Sequence, residues 1–301
     1  MKGDGDGWVS CDLGHTHWGR NGAAGLLLRA PAPDGRTFLL QHRVEWSHHG
    51  GTWGVPGGAR DSHETAVQAA RREASEESTL DPYPFPVAAT YLDDHGGWSY
   101  TTVLADSDGS FPVEPANPES KEFRWVDETD LAGLPLHPGF ALSLPRIRGL
   151  GRGPLLVVDA ANVVGSRADG WWRDRLGAAR RLRDELDALA RCGVAAPTMP
   201  GPRVEDEVTL TWYPRVVLVV EGAARSLADE PGPGRVHTLG APRSGDDAVV
   251  EAVRDHTDDA ASRTVVVTAD RGLRRRCADA DPSAVVAGPS WLRGLLDQLG
   301  R

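Results

Sequence analysis

The sequence predicts an α/β protein made of two parts, and three observations carry that prediction. Residues 1–148 place short apolar runs around one long helical stretch. Residues 154–301 carry almost purely aliphatic runs separated by helical stretches, the pattern of strands buried on both faces of a parallel sheet. Residues 149–153, rich in glycine, read as a linker between them. A chain of 301 residues is long enough for two hydrophobic cores.

In the first part, residues 23–29 and 37–43 are strand-like and joined by Pro31-Ala32-Pro33-Asp34-Gly35, a turn signal. Residues 46–58 form a glycine-rich loop. Residues 61–78 lack Gly and Pro and have helical composition. Strand-like runs follow at 87–92, 100–104 and 123–126, and residues 140–147 form a helix that Pro145 limits. In the second part, 155–158, 216–220 and 265–267 are the aliphatic runs. Helices are expected over 172–191 and 246–256, and an irregular insert over 195–208. This alternation predicts a three-layer domain with a mainly parallel sheet.

The net charge of −10 is uneven: residues 1–150 carry −9 and the remainder −1. Such acidity disfavours non-specific nucleic-acid binding by the chain as a whole. No apolar run approaches the ~20 residues that cross a bilayer, so no membrane partner is expected. Three scattered cysteines and a polar N-terminus lead to the expectation of a cytoplasmic protein without a disulfide framework. Oligomeric state is not legible.

The sharpest signal lies at residues 58–80. Glu73, Glu76 and Glu77 are spaced i, i+3, i+4, which puts three carboxylates on one helix face. Alone, such a face is commonly just solvated charge. Three like charges in so small an area also suit a divalent cation, and hard oxygen donors favour Mg²⁺ or Mn²⁺. The wider register is Gly58, Glu64 six residues on, Arg72-Glu73, Glu76-Glu77 and the apolar Leu80. That register resembles the Nudix box, and the preceding Trp53-Gly54-Val55-Pro56-Gly57-Gly58 resembles the loop that enters it.

The resemblance covers roughly the first half of the chain. It implies an α/β/α sandwich with a mixed sheet. It also implies metal-dependent cleavage of a diphosphate linkage in a nucleoside triphosphate, a dinucleotide or a related compound. Glu73, Glu76 and Glu77 are the implied metal ligands, supported by Glu64, with Arg72 orienting the cluster and Gly57 and Gly58 facing substrate. Asp61 is read as the helix N-cap, and Glu64 as either support for the metal or half of a capping box with Asp61. Glu119 and Glu122 are candidates for a general base, although each is more simply a surface carboxylate. Two positions depart from the box: Ala74 is small, and Thr79 replaces a glycine, with strain expected if the backbone there is left-handed.

Other residues are more ambiguous. Trp98 and Tyr100 suit base stacking or the core. Residues 82–86 (Pro-Tyr-Pro-Phe-Pro) resemble an element of NADH pyrophosphatases but sit too close to the box, and read as a rigid approach to a strand. Cys11, His15 and His17, with His48 and His49, invite a zinc reading. Cys-x3-His-x-His is not a standard structural zinc spacing, so packing or phosphate contact is preferred.

In the second part, Asp159 and Asp270 each follow an aliphatic run, and Asp246-Asp247 opens a helical stretch. Ligands gather beyond the carboxyl ends of strands in such sheets. The bland reading of each is a helix cap or turn residue. Taken together with Asn162, and with Glu221 as an addition, they resemble the acidic positions of the NYN branch of PIN-like nucleases. That resemblance implies a Rossmann-like domain holding Mg²⁺ or Mn²⁺ for RNA cleavage. Arg271, Arg274 and Arg275, and Arg180, Arg181 and Arg183, are candidate phosphate contacts, with Trp171-Trp172 for base stacking. An ordinary solvated Arg face explains them about as well. Two further readings stay open: a Nudix fold that senses a nucleotide and regulates the nuclease, and an inactive nuclease half that tethers RNA.

Overall fold

The computed structural model describes residues 3–167, 170–201, 209–232, 234–255 and 263–299. Two compact units divide the chain, Met1–Leu150 and Gly151–Arg301.

The first unit begins with an antiparallel pair, β1 (Trp8–Ser10) and β2 (Thr16–Trp18). Its main sheet contains β3 (Ala23–Ala32), β4 (Gly35–Arg43), the short β5 (Trp53–Gly54) and β6 (Gly57–Ala59). Helix α1 (Ala66–Glu77) is followed by β7 (Val87–Asp94), β8 (Ser99–Asp106), β9 (Ser120–Asp127) and α2 (Pro138–Ile147). β3 runs parallel to β8 and antiparallel to β4 and β6. β7 pairs antiparallel with β8, and β9 with β4, so the sheet is mixed. β3 is buried from Ala23 to Ala30, as expected of a central strand. Ala69, Ala70 and Ala74 are fully buried on α1, and these small side chains let the helix lie close to β3 and β8. Pro145 sits inside α2 without ending it. The loop expected over 46–58 in fact contributes β5 and β6 to the sheet.

The second unit contains β10 (Leu155–Asp159), α3 (Ala160–Gly165), α4 (Arg175–Cys192) and an antiparallel pair, β11 (Val194–Ala195) and β12 (Leu210–Trp212). It continues with β13 (Arg215–Val220), β14 (Val236–Gly240), α5 (Gly245–Arg254), β15 (Thr264–Val267), α6 (Arg271–Ala280), β16 (Val285–Ala287) and α7 (Pro289–Leu299). The sheet order is β14-β13-β10-β15-β16, and every pairing is parallel. Val157, Val217, Val219 and Val266 form a core with α5 and α6 through Val249, Val253, Leu273 and Cys277. Alternate strand residues such as Leu156, Val158 and Leu218 are equally buried. Strands buried on both faces explain the unbroken aliphatic runs. β14 and β16 are additions to the three strands expected. Helix α5 ends at Arg254; the tail of the predicted helix at His256, and residues 202–208 of the predicted insert, lie outside the described residues. Among the described residues, no helix is long and apolar enough to cross a membrane.

Candidate active site

Helix α1 starts later than expected. Its N-cap is Thr65, whose hydroxyl accepts the Gln68 N–H (3.2 Å) while the Gln68 side chain accepts the Thr65 N–H (2.8 Å), a reciprocal capping box. Asp61 is therefore not the cap; its carboxylate accepts the Gly5 N–H (2.9 Å). Glu64 is then free of capping duty. Its two oxygens take the fork of Arg72, Nε to Oε1 at 2.7 Å and Nη2 to Oε2 at 2.9 Å, and Oε2 also accepts the Asp61 N–H at 3.2 Å. The same guanidinium donates to Glu73 Oε1 (2.7 Å), Glu76 Oε2 (3.4 Å) and the Ala59 carbonyl (2.9 Å). One arginine thus ties three glutamates to the β6 backbone.

Strand β6 lies against the helix because it carries no side chains where the two meet. A Cβ at Gly58 would lie 2.5 Å from Glu73 Oε2. At Gly57 it would lie 2.5 Å from the Ala24 carbonyl on β3. The Gly57 N–H donates to Glu77 Oε2 (2.9 Å). Glu77 is buried, Glu73 nearly so, and Glu76 is 57% exposed. The three carboxylates leave the helix in one direction yet sit at different depths.

Burial sets their charge state. The hydrogen bond from Arg72 holds Glu64 below the usual carboxylate range. Burial raises Glu73 in spite of Arg72. Burial, then the neighbouring Glu73, pushes Glu77 up to about 8, opposed by Gln41, Arg43 and the Gly57 N–H. Two desolvated carboxylates with too little positive charge between them are an arrangement that a divalent cation stabilises. The donors are all hard oxygens, so Glu73, Glu76 and Glu77 fit Mg²⁺ or Mn²⁺.

The predicted bases flank residues bonded to this cluster: Asn117 Nδ2 donates to the Glu76 carbonyl (3.4 Å), and Ser120 Oγ accepts from Gln41. Glu122, on β9, faces His42 Nδ1 at 3.6 Å and is half exposed. Glu119 is exposed, and its backbone is held by Val44 and Asn117. Neither contacts the glutamates in any described hydrogen bond or ion pair. Thr79 carries none of the expected strain, because among the described residues His49 alone is a non-glycine with positive φ. The helix ends at Ser78 in extended backbone, and Thr79 pairs with Glu114, its N–H donating to the Glu114 carbonyl and its hydroxyl accepting the Glu114 N–H. Trp98 stacks on His17 at 3.8 Å, and burial raises the Tyr100 phenol beside the glutamates. Gln41, fully buried on β4, was not singled out in the sequence; its Nε2 donates to Ser120 Oγ (2.7 Å) beside Glu77. Its only sequence signal is a polar residue inside an apolar strand.

In the second unit, β10 and β15 are neighbours at the point where the strand order reverses. Asp159 ends β10, caps α3 and accepts from Asn162 Nδ2 (2.6 Å) and Thr268 Oγ1 (3.1 Å). The Asn162 side-chain Oδ1 accepts the Ala269 N–H (3.2 Å), and Asp270 caps α6. Asp246 is raised by burial, then by Asp270 and Asp159. Glu221 accepts the Gly245 N–H at the start of α5 (2.8 Å). Asp159, Asp246, Asp270 and Glu221 therefore share one rim. Asp247, the more exposed of the adjacent pair, bonds Arg276, whose other terminal nitrogen also lies 3.9 Å from Asp246 Oδ2. Arg274 donates to the Thr268 carbonyl (3.1 Å), and Arg271 and Arg275 are exposed. Arg180 is paired with Glu230, and Arg183 is 5% exposed, so neither offers the free cation the sequence suggested. Trp171 and Trp172 meet edge to face, and Trp172 is exposed.

Among the described residues, three groups of side chains have donor atoms within 4.8 Å of one another: Cys11, His15, His17 and His95; His48, His49 and His137; Asp4, Asp61 and His63. The glutamate and aspartate sets above are in none of them.

The NUDIX domain family matches residues 19–146. A Mycobacterium tuberculosis protein named as an 8-oxo-dGTP diphosphatase is 57% identical over 155 residues, covering 49% of this chain and 71% of that one. A Bifidobacterium longum protein named as a nucleoside triphosphate pyrophosphatase/Nudix hydrolase fusion is 42% identical over 147 residues, covering 47% of this chain and 30% of that one. The crystal structure of RenU, a Nudix hydrolase of M. smegmatis, is 53% identical and covers 48% of this chain and 93% of that one, with a TM-score of 0.45.

Proposed function

The chain belongs to the Nudix family through its N-terminal half, and from that premise we propose that it hydrolyses a purine nucleoside triphosphate at a diphosphate linkage, with 8-oxo-dGTP the first compound to test. The observation that carries the reading is the buried pair Glu73 and Glu77 against Gly57 and Gly58, a cation-deficient acidic site packed onto a strand whose glycines leave room for the carboxylates. The name of the M. tuberculosis relative, over a match of 57% identity, supports the substrate class.

Glu73, Glu76 and Glu77 are the residues that would hold the divalent cation. When bound, it neutralises the diphosphate and lowers the pKa of an attacking water. Arg72 keeps Glu73 and Glu76 aimed at the site and shares their charge with Glu64. The Gly57 N–H and Gln41 hold Glu77 in place. Water adds to phosphorus, the anhydride bond to the leaving phosphate breaks, and the proton passes to solvent or to a carboxylate. Glu119 and Glu122 remain the candidate acceptors. The test is product analysis by mass spectrometry with Mg²⁺ or Mn²⁺ and a panel of triphosphates, dinucleotides and nucleotide sugars. Turnover by the wild type and none by Glu77→Gln is the expected result; equal turnover by both removes the reading.

The second unit carries its own proposal, a metal-dependent, PIN-like ribonuclease of the NYN type. Its support is the meeting of Asp159, Asp246, Asp270 and Glu221 where the parallel strand order reverses, the position at which open α/β sheets bind ligands. Arg271 and Arg274, on the first turns of α6 after Asp270, would contact RNA phosphates. Incubation of labelled single-stranded RNA with Mn²⁺ tests it: cleavage lost in Asp159→Asn supports the nuclease. Binding without cleavage, unchanged by that substitution, assigns the unit to tethering.

A further inference from the structure

Cys11 and His15 flank the turn between β1 and β2, and His17 lies on β2. The fourth member of their cluster, His95, comes from the turn between β7 and β8, far along the chain. One backbone bond joins the two turns, from the Asp12 N–H to the Gly96 carbonyl (2.9 Å), and each turn is closed by its own bond, the Cys11 N–H to the His15 carbonyl (2.9 Å) and the His95 N–H to the Trp98 carbonyl (2.9 Å). Gly14, Gly96 and Gly97 adopt left-handed φ, which allows both turns to be tight. One donor atom from each of Cys11, His15, His17 and His95 then falls within 4.8 Å of the other three.

Packing alone leaves this cluster unsatisfied. His17 Nε2 and His95 Nδ1 are both buried without a hydrogen-bond partner. Leaving a buried polar atom unpaired is costly, and two in one cluster is unusual. The other nitrogen of His95, Nε2, faces Asp93 Oδ2 at 3.3 Å. A carboxylate behind one imidazole nitrogen fixes the ring with its other nitrogen pointing at a metal, an arrangement common behind zinc-binding histidines. The stack of His17 on Trp98, 3.8 Å apart and within 7° of parallel, fixes that ring too. Cys11 is buried and forms no disulfide. His15 is exposed, which leaves an entry path on one side.

The geometry points to a zinc site of one thiolate and three imidazoles, Cys11, His15, His17 and His95, that staples the β1–β2 hairpin to the β7–β8 turn. Sulfur and nitrogen donors select Zn²⁺ over the Mg²⁺ or Mn²⁺ suited to the glutamates. Four donors make a closed tetrahedral shell, the form of a structural site. On binding, the Cys11 thiol proton passes to solvent and a sulfur–zinc bond forms, with no change of oxidation state.

The experiment uses the full chain, purified, stripped with chelator, reloaded with Zn²⁺ and dialysed against excess Mg²⁺. Mass spectrometry for metals is expected to find one zinc per chain, and Co²⁺ in its place is expected to give a thiolate-to-cobalt charge-transfer band. Cys11→Ser abolishes that band, and His95→Gln weakens zinc at least ~10-fold. His15→Gln, at an exposed position that the fold tolerates, also weakens zinc at least ~10-fold, so the outcome does not hinge on a variant that fails to fold. Zn²⁺ raises the melting midpoint of the wild type and not of Cys11→Ser. The inference is overturned if the reloaded chain retains no zinc, if the band survives Cys11→Ser, if zinc binding is unchanged in His15→Gln, or if binding is lost instead in the double variant His48→Ala, His49→Ala.

Discussion

Arg72 grips Glu64 through two parallel hydrogen bonds, at 2.7 and 2.9 Å, and with the remaining terminal nitrogen reaches Glu73 at 2.7 Å. Only a planar guanidinium spans both carboxylates and the Ala59 carbonyl at once. Arg72→Lys keeps the charge and loses the fork. Its expected effect is a fall of about 10- to 100-fold in metal-dependent turnover with little change in folding, read as kcat/KM across a Mg²⁺ titration. Wild-type turnover in Arg72→Lys would mean that charge alone, and not the fork, orients the glutamates.

Gly58 gives a second, steric test of the same cluster. Its backbone is not left-handed, so alanine brings no conformational strain. The new Cβ would instead lie 2.5 Å from Glu73 Oε2, a distance that real Cβ atoms do not show, and the carboxylate must move. Gly58→Ala is expected to weaken Mg²⁺ dependence of turnover by about 10-fold or more while the melting midpoint shifts little. A normal metal titration in this variant would remove Glu73 from the ligand set.

These tests concern the part of the site most legible in sequence. Gly58, Glu64, Arg72, Glu73, Glu76 and Glu77 fall within twenty residues, and helix periodicity alone places the last four. The helix start was misread for a physical reason: Asp61 with Glu64 and Thr65 with Gln68 both have capping-box spacing. The structure shows Glu64 bonding both Arg72 and the Asp61 N–H ahead of the helix, with Thr65 and Gln68 forming the cap. Strands β14 and β16 were missed because Val236–Gly240 is broken by His237 and Thr238, and Val285–Ala287 is too short to show a period. Gln41 and His95 were missed because their meaning depends on neighbours distant in the chain. The parallel sheet of the second unit was readable, since residues buried on both faces leave uninterrupted aliphatic runs.

His137 supplies a pH test independent of metal. It caps α2 by accepting the Gly139 N–H at Nδ1 (3.2 Å). Burial, then His49 and Arg43, lowers its pKa from 6.5 to about 4. Between those values the unfolded chain binds a proton that the folded chain does not. The stability this neutral ring contributes is therefore complete above pH 6.5 and lost as pH falls towards 4. Allowing for solvent around a half-buried ring, the loss is on the order of 2 kcal/mol. Asparagine caps helices without titrating. Denaturant melts from pH 7 to 4.5 should show a shallower loss in His137→Asn than in the wild type; parallel curves would show that His137 titrates normally.

The second unit separates its own aspartates in a way the proposed nuclease must obey. Asp159 is buried at the end of β10, and Asp246 is raised by burial, then by Asp270 and Asp159, whereas Asp247 is 64% exposed in its side chain and bonded to Arg276. Substitution of a ligand removes metal, while substitution of a surface pair contributes at most about 1 kcal/mol to stability. On that reading Asp159→Asn and Asp246→Asn each lower Mn²⁺-dependent RNA cleavage at least ~100-fold, and Asp247→Asn leaves it within a factor of about two. Gel assays on labelled RNA with the three variants decide between the residues. Loss of cleavage in Asp247→Asn equal to that in Asp159→Asn would require Asp247 to leave Arg276 and turn into the rim when metal binds, and the acidic centre would then have five members instead of four.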